Sequence, residues 1–206
     1  MHTLQVLRAG QPAGAEKVLI LLHGRGGSAA DILSLADDLP VTGFELLAPQ
    51  AAGHSWYPYS FLAPPQQNEP WLGSALGVLK RLVSDTKSMG IAGEQIYFTG
   101  FSQGACLMLE FLARNGERYG GAMAFTGGLI GDHVYPQQYT GDFKRTPIFI
   151  GTSDPDPHVP VARVHETATL LMKMNADVLE KVYPGMGHTI TAEELAAATA
   201  HVFNVS

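Results

Sequence analysis

Gln95-Ile96-Tyr97-Phe98-Thr99-Gly100-Phe101-Ser102-Gln103-Gly104-Ala105-Cys106-Leu107-Met108-Leu109 carries the decisive pattern of this chain. The run Gln95–Thr99 reads as a buried strand, and the residues from Ser102 to about Asn115, apolar on most sides, read as a helix buried against the sheet. Between them lies G-x-S-x-G, in the strand–turn–helix setting that its chemistry needs. There the serine sits in a strained turn with its hydroxyl exposed, and the flanking glycines let strand and helix pass closely. Ser102 is therefore the candidate nucleophile, against the plainer reading of a glycine-rich turn with an incidental serine. The helix beginning there also aims its N-terminal N–H groups and positive dipole end at the site, where negative charge would develop.

Outward from this turn, apolar runs alternate with helical-period stretches in both directions, the pattern of an α/β fold with a mostly parallel sheet and helices on both faces. Strands are expected at Leu4–Leu7, Lys17–Leu22, Phe44–Ala48, Gln95–Thr99, Ala122–Phe125, Pro147–Ile150 and Val178–Tyr183. The first two, separated by a Gly/Pro-rich segment, predict an antiparallel hairpin at the sheet edge. One helix should open at Asn68-Glu69-Pro70 with Asn68 as cap and end near Met89-Gly90. Another occupies about Val161–Met174, and the last starts in a capping box at Thr191 and Glu194. Two connections, Pro49–Gln67 and Gly127–Arg145, are too long to be simple turns. The first carries Trp56, Tyr57, Tyr59 and Phe61, which points to a packed wall rather than a solvated linker.

The 206 residues are 46% apolar and 16% charged, against about 25% charged for an average soluble domain. This excludes a disordered chain and predicts one domain over 1–206. The net charge is −6 with no basic run, so nucleic acid is not an expected partner. The longest apolar runs are far short of the ~20 residues a bilayer span needs, so no membrane insertion is expected. Met1-His2-Thr3-Leu4-Gln5 lacks the basic and apolar segments of a secretory signal, and a cytoplasmic location is the expectation. The lone Cys106 reads as helix core.

A serine hydroxyl needs a base, itself oriented by an acid, so the order Ser…Asp…His is the next test. Of eight histidines, only His188 follows a strand in a Gly-rich loop, Pro184-Gly185-Met186-Gly187-His188, and it is the candidate base. The acid lies in Gly151-Thr152-Ser153-Asp154-Pro155-Asp156-Pro157-His158, where Asp154 and Asp156 compete. A cation site there is disfavoured by the prolines and the lack of further carboxylates. Gly24-Arg25-Gly26-Gly27-Ser28-Ala29 also fits the dinucleotide pattern G-x-G-x-x-A. The acidic residue such a site wants at the end of the next strand is missing from Leu47-Ala48-Pro49-Gln50, which favours an oxyanion-hole loop instead.

His23-Gly24-x-Gly26-Gly27, Gly100-Phe101-Ser102-Gln103-Gly104, Asp156-Pro157-His158-Val159-Pro160 and Gly187-His188 together resemble the phospholipase/carboxylesterase family of α/β-hydrolases, which includes the acyl-protein thioesterases. The likeness implies a single α/β-hydrolase domain without a large cap. It also implies a serine hydrolase of carboxylic esters or thioesters with small to medium acyl groups, needing no cofactor or metal. By the family's D-P-x-V-P segment it favours Asp156 as the acid, with Asp154-Pro155 an addition. It places the oxyanion donors on the backbone N–H groups of Arg25 and Gln103, and it loosely matches Trp56, Tyr57 and Phe61 to a substrate-side wall. An arginine at 25 stands where acyl-protein thioesterases have an apolar residue, which weighs against a long fatty acyl substrate. Homo-oligomerisation is left open. The rival classes are a dinucleotide-binding oxidoreductase, which bound-cofactor absorbance would reveal, and a non-catalytic hydrolase-fold binding protein, which only activity can separate.

Overall fold

Val18–Leu22 (β2) is buried at every position, and its alternate side chains feed two different cores. Val18, Ile20 and Leu22 pack under one layer of helices, Leu19 and Leu21 under the other, which is what a run of apolar residues does in the middle of a sheet covered on both faces. The computed structural model, which describes residues 1–11 and 14–204, builds a seven-stranded sheet around this strand. Its members are Val6–Gly10 (β1), β2, Glu45–Pro49 (β3), Ile96–Phe101 (β4), Gly121–Phe125 (β5), Pro147–Asp154 (β6) and Asp177–Pro184 (β7), in the order β1-β3-β2-β4-β5-β6-β7. All neighbours are parallel except β1 and β3. Trp71–Ser88 (α2), Gln103–Arg114 (α3) and Val161–Lys173 (α4) pack on one face, and Ala29–Leu33 (α1) and Ala192–Phe203 (α5) on the other. This is the α/β-hydrolase arrangement expected above, and no large cap is present among the described residues.

The edge hairpin is the exception. β1 does lie antiparallel at the edge, but it pairs with β3 and not with β2. β2, buried on both faces, takes parallel partners on both sides, whereas β1 has mostly exposed side chains and suits an edge. Arg8 of β1 forms an ion pair with the buried carboxylate of Glu45 in β3, which fixes this partner.

Two helix starts also differ from expectation. Asn68 does not cap α2; its buried amide accepts from the N–H of Tyr59 (2.9 Å) and donates to the carbonyl of Ser60 (3.0 Å), tying down the aromatic loop. The carboxylate of Glu69 caps α2 instead, through the N–H of Gly73. At α5 only half the capping box forms: Thr191 Oγ1 accepts the N–H of Glu194, but the Glu194 side chain turns inward beneath β6. No described helix is long and apolar enough to cross a membrane.

Candidate active site

β4 delivers the chain to Ser102, whose backbone sits at φ 53°, ψ −119°, a conformation that L-residues avoid. The turn is possible because of its glycines. A Cβ on Gly104 would overlap the carbonyl oxygen of Leu22 at the end of β2, and one on Gly100 would come within 2.8 Å of the Gly104 carbonyl carbon. α3 can thus start directly against the neighbouring strand. The hydroxyl of Ser102 is left at the carboxyl ends of the parallel strands.

His188, in the turn after β7, places its Nε2 2.8 Å from Ser102 Oγ. Its Nδ1 lies 2.9 Å from Oδ2 of Asp156, in the loop after β6. A carboxylate can only accept, so Nδ1 carries the proton and Nε2 is free to accept from the serine hydroxyl. The other oxygen of Asp156 accepts the N–H groups of His158 and Val159, both at 2.8 Å. Burial would raise the Asp156 pKa, but the hydrogen bonds from His158, His188 and Val159 outweigh it and hold the carboxyl below its usual range. Asp154 ends β6 exposed, and among the described residues its carboxylate accepts no hydrogen bond, while its carbonyl accepts the N–H of Gly185. The loop is held by Asp156 itself and by Ser153, whose Oγ accepts the N–H of Gly187 at 2.9 Å.

The glycine loop after β2 lies against the same turn, Gly24 packing on Phe101 and Ser102. Its Gly26 and Gly27 N–H groups are engaged by the carbonyls of His54 (2.7 Å) and Gly24 (3.1 Å). The donors a diphosphate would need are therefore spent within the protein. Gln50, where a ribose-binding carboxylate would stand, accepts the N–H of Ala29 at the start of α1. By contrast, among the described residues the N–H groups of Arg25 and Gln103 donate to no protein acceptor.

A cavity of about 570 Å³ opens over Ser102, lined by Tyr57, Phe61, Phe101, Cys106 and Val159 among others. Burial pushes the Cys106 thiol up to about 12, so it stays neutral in this wall. Tyr57 and Phe61 lie where a substrate-side wall was expected, but Trp56 does not. Its indole is fully buried behind the glycine loop, donating to the carbonyl of His23 (2.9 Å) and packing on the His23 ring. An amphipathic ring with one N–H favours that wedge position, which local sequence does not signal. His23 is itself buried, its pKa lowered by desolvation, with Nδ1–H donating to Gly24 O and Nε2 accepting from Ala51 N–H. The side chain of Gln103 completes the interlock, accepting from Trp56 N–H (2.9 Å) and donating to Tyr57 O (2.8 Å). Sequence reasoning also missed His158, whose ring lies edge-on to His188 at 4.9 Å in the cavity wall. Its place two residues after a candidate acid was the available signal.

Residues 3–206 match the phospholipase/carboxylesterase family model. Acyl-protein thioesterase 1 of Gibberella zeae is 34% identical over 119 residues, 55% of this chain and 49% of that protein. The chain thus matches about half the length of that relative. The Schizosaccharomyces pombe acyl-protein thioesterase 1 is 26% identical with 87% of this chain and 86% of its own covered. The crystal structure of a phospholipase/carboxylesterase from Dyadobacter fermentans superposes with a TM-score of 0.96 at 52% identity, over 98% of this chain and 97% of that one.

Proposed function

The chain belongs to the phospholipase/carboxylesterase family of α/β-hydrolases, and on that premise we propose that it is a serine hydrolase of carboxylic esters or thioesters acting through Ser102, His188 and Asp156. The observation that carries this reading is the relay from Ser102 Oγ through His188 to Asp156, at 2.8 and 2.9 Å, on the floor of a cavity. Ser102 Oγ attacks the acyl carbon as His188 Nε2 takes its proton. Asp156 holds the imidazole in the required tautomer and stabilises its cation. The carbonyl oxygen becomes an oxyanion on the N–H groups of Arg25 and Gln103, at the dipole end of α3. His188 returns the proton to the leaving alcohol or thiol, giving an acyl-enzyme. Water, deprotonated by the same base, attacks the acyl carbon; a second oxyanion collapses, Ser102 recovers its proton, and the acid departs.

The test is hydrolysis of a series of acyl nitrophenyl esters and acyl thioesters by the wild-type chain and Ser102→Ala. Turnover should fall by roughly a million-fold in the variant, with the fold intact by circular dichroism, and labelling by an organophosphonate should vanish with it. Ordinary turnover in the variant would remove Ser102 from the mechanism. A wild-type chain that neither turns over nor labels would instead be a binding protein on this fold.

A further inference from the structure

Arg25 contributes more to this cavity than a backbone N–H. Its side chain forms part of the wall and is the only permanently charged group among the lining residues. The guanidinium is tied in place by neutral acceptors alone. Nη1 donates to Ser55 Oγ (2.9 Å) and to the carbonyl of Pro58 (3.0 Å), Nη2 donates to the carbonyl of Tyr59 (2.7 Å), and the group lies over the Tyr57 ring at 5.9 Å. Among the described residues no carboxylate lies within ion-pairing distance of it. A guanidinium has five N–H donors, so Nε–H and one Nη2–H remain. Three neutral bonds immobilise the cation without cancelling its charge. An anion that docks on it then loses little further side-chain freedom and forms charge-assisted hydrogen bonds, about twice as strong as neutral ones.

Within the serine-hydrolase reading, on which this rests, we propose that the substrates carry a carboxylate in their acyl half and that the Arg25 guanidinium receives it. The class is half-esters or half-thioesters of short dicarboxylic acids. The leaving group must reach His188 Nε2, and so lies beside the ring set edge-on to His188, that of His158. Arg25 stands with Tyr57 and Tyr59 of the aromatic loop, which leaves it to the acyl half. Two remaining donors match the two oxygens of a carboxylate. A clamp that only held the loop would need donors and not a charge, and this difference is measurable.

The experiment compares kcat/KM for the 4-nitrophenyl half-ester of adipic acid, its neutral methyl ester and 4-nitrophenyl hexanoate, with wild type, Arg25→Lys and Arg25→Gln. Wild type should favour the anionic ester by about tenfold or more, and the preference should shrink as salt approaches about 1 M, where the Debye length is ~3 Å. Arg25→Gln should bring the anionic-to-neutral ratio to one or below, and Arg25→Lys should keep part of it. Absolute rates fall on every substrate when the loop loosens, so the ratio is the readout. A wild-type ratio at or below one, a ratio indifferent to salt, or a ratio that survives in Arg25→Gln would each overturn the proposal. If wild type turned over none of the three esters, the hydrolase reading itself would fail.

Discussion

At the scale of single residues, Asp154 and Asp156 stand two positions apart and have opposite surroundings. The Asp156 side chain is buried and accepts three hydrogen bonds, while Asp154 is exposed and its carboxylate accepts none among the described residues. Asp156→Asn leaves the imidazole in the wrong tautomer and should lower kcat by about 10⁴ with the fold retained. Asp154→Asn should leave kcat at the wild-type level and shift stability by no more than about 0.5 kcal/mol, as surface changes do. Steady-state kinetics and thermal melts on the two variants check this, and the reverse ranking would move the acid to Asp154. The turns that bring Ser102 and His188 together were legible in the sequence, because each is flanked by glycine and follows a strand. The choice of acid needed the family likeness, because both aspartates precede a proline. What separates them is the bond from the Asp156 side chain to the backbone two and three residues on, a turn-forming habit of aspartate that Asp154 cannot adopt while it remains in the strand pairing of β6.

At the scale of elements, period and turn residues located all seven strands and the four long helices to within a few residues, since buried strands and amphipathic helices are written locally. Partner choice was not local. Whether β1 joins β2 or β3 depends on which strand must be covered on both faces, and that is a property of the whole sheet. The burial of Trp56 behind the glycine loop was hidden for the same reason, because an aromatic in a long loop looks alike whether it faces ligand or protein. The tight crossing of α3 over the end of β2, by contrast, depends on one glycine. Gly104→Ala would press a methyl group onto the backbone of Leu22 and His23, where neither side can yield as a flexible side chain would. It should cost about 3 kcal/mol or more and displace the Gln103 N–H, so chemical denaturation and kcat should both report it.

At the scale of the molecule, the inward-turned Glu194 couples stability to pH. Its carboxyl is fully buried, finds no hydrogen-bond partner among the described residues, and is raised by desolvation from 4.5 to about 7. The native state therefore holds this proton more tightly than the unfolded chain. The stability contributed by the neutral form is complete below about pH 4.5 and is lost as the pH rises through about 7. At roughly 1.4 kcal/mol per pH unit, the loss is of the order of 3 kcal/mol. Glu194→Gln should melt close to wild type at about pH 4 and clearly above it at about pH 8; equal melting at both would show that the carboxyl is solvated or paired.

β7 bonds to one neighbour only, β6, and its residues are half-buried. Yet the turn after it carries His188, whose Nε2 is hydrogen-bonded to Ser102, 86 positions away. Edge elements whose side chains are only half-buried open locally at free energies below that of global unfolding. A transient departure of β7 withdraws His188, the proposed base, while the sheet centre and the buried Trp56 stay in place. Heating should therefore silence the protein before it melts, with activity fading at a lower temperature than tryptophan fluorescence changes. Deuterium should enter Asp177–Pro184 sooner than Val18–Leu22 or Ile96–Phe101. Coincident midpoints and equal uptake would mean that the edge strand opens only with the whole. Otherwise a survey that scores variants by melting temperature will overlook those that have lost their working lifetime, and substitutions that fasten β7 to β6 should lengthen that lifetime with little change in the melt.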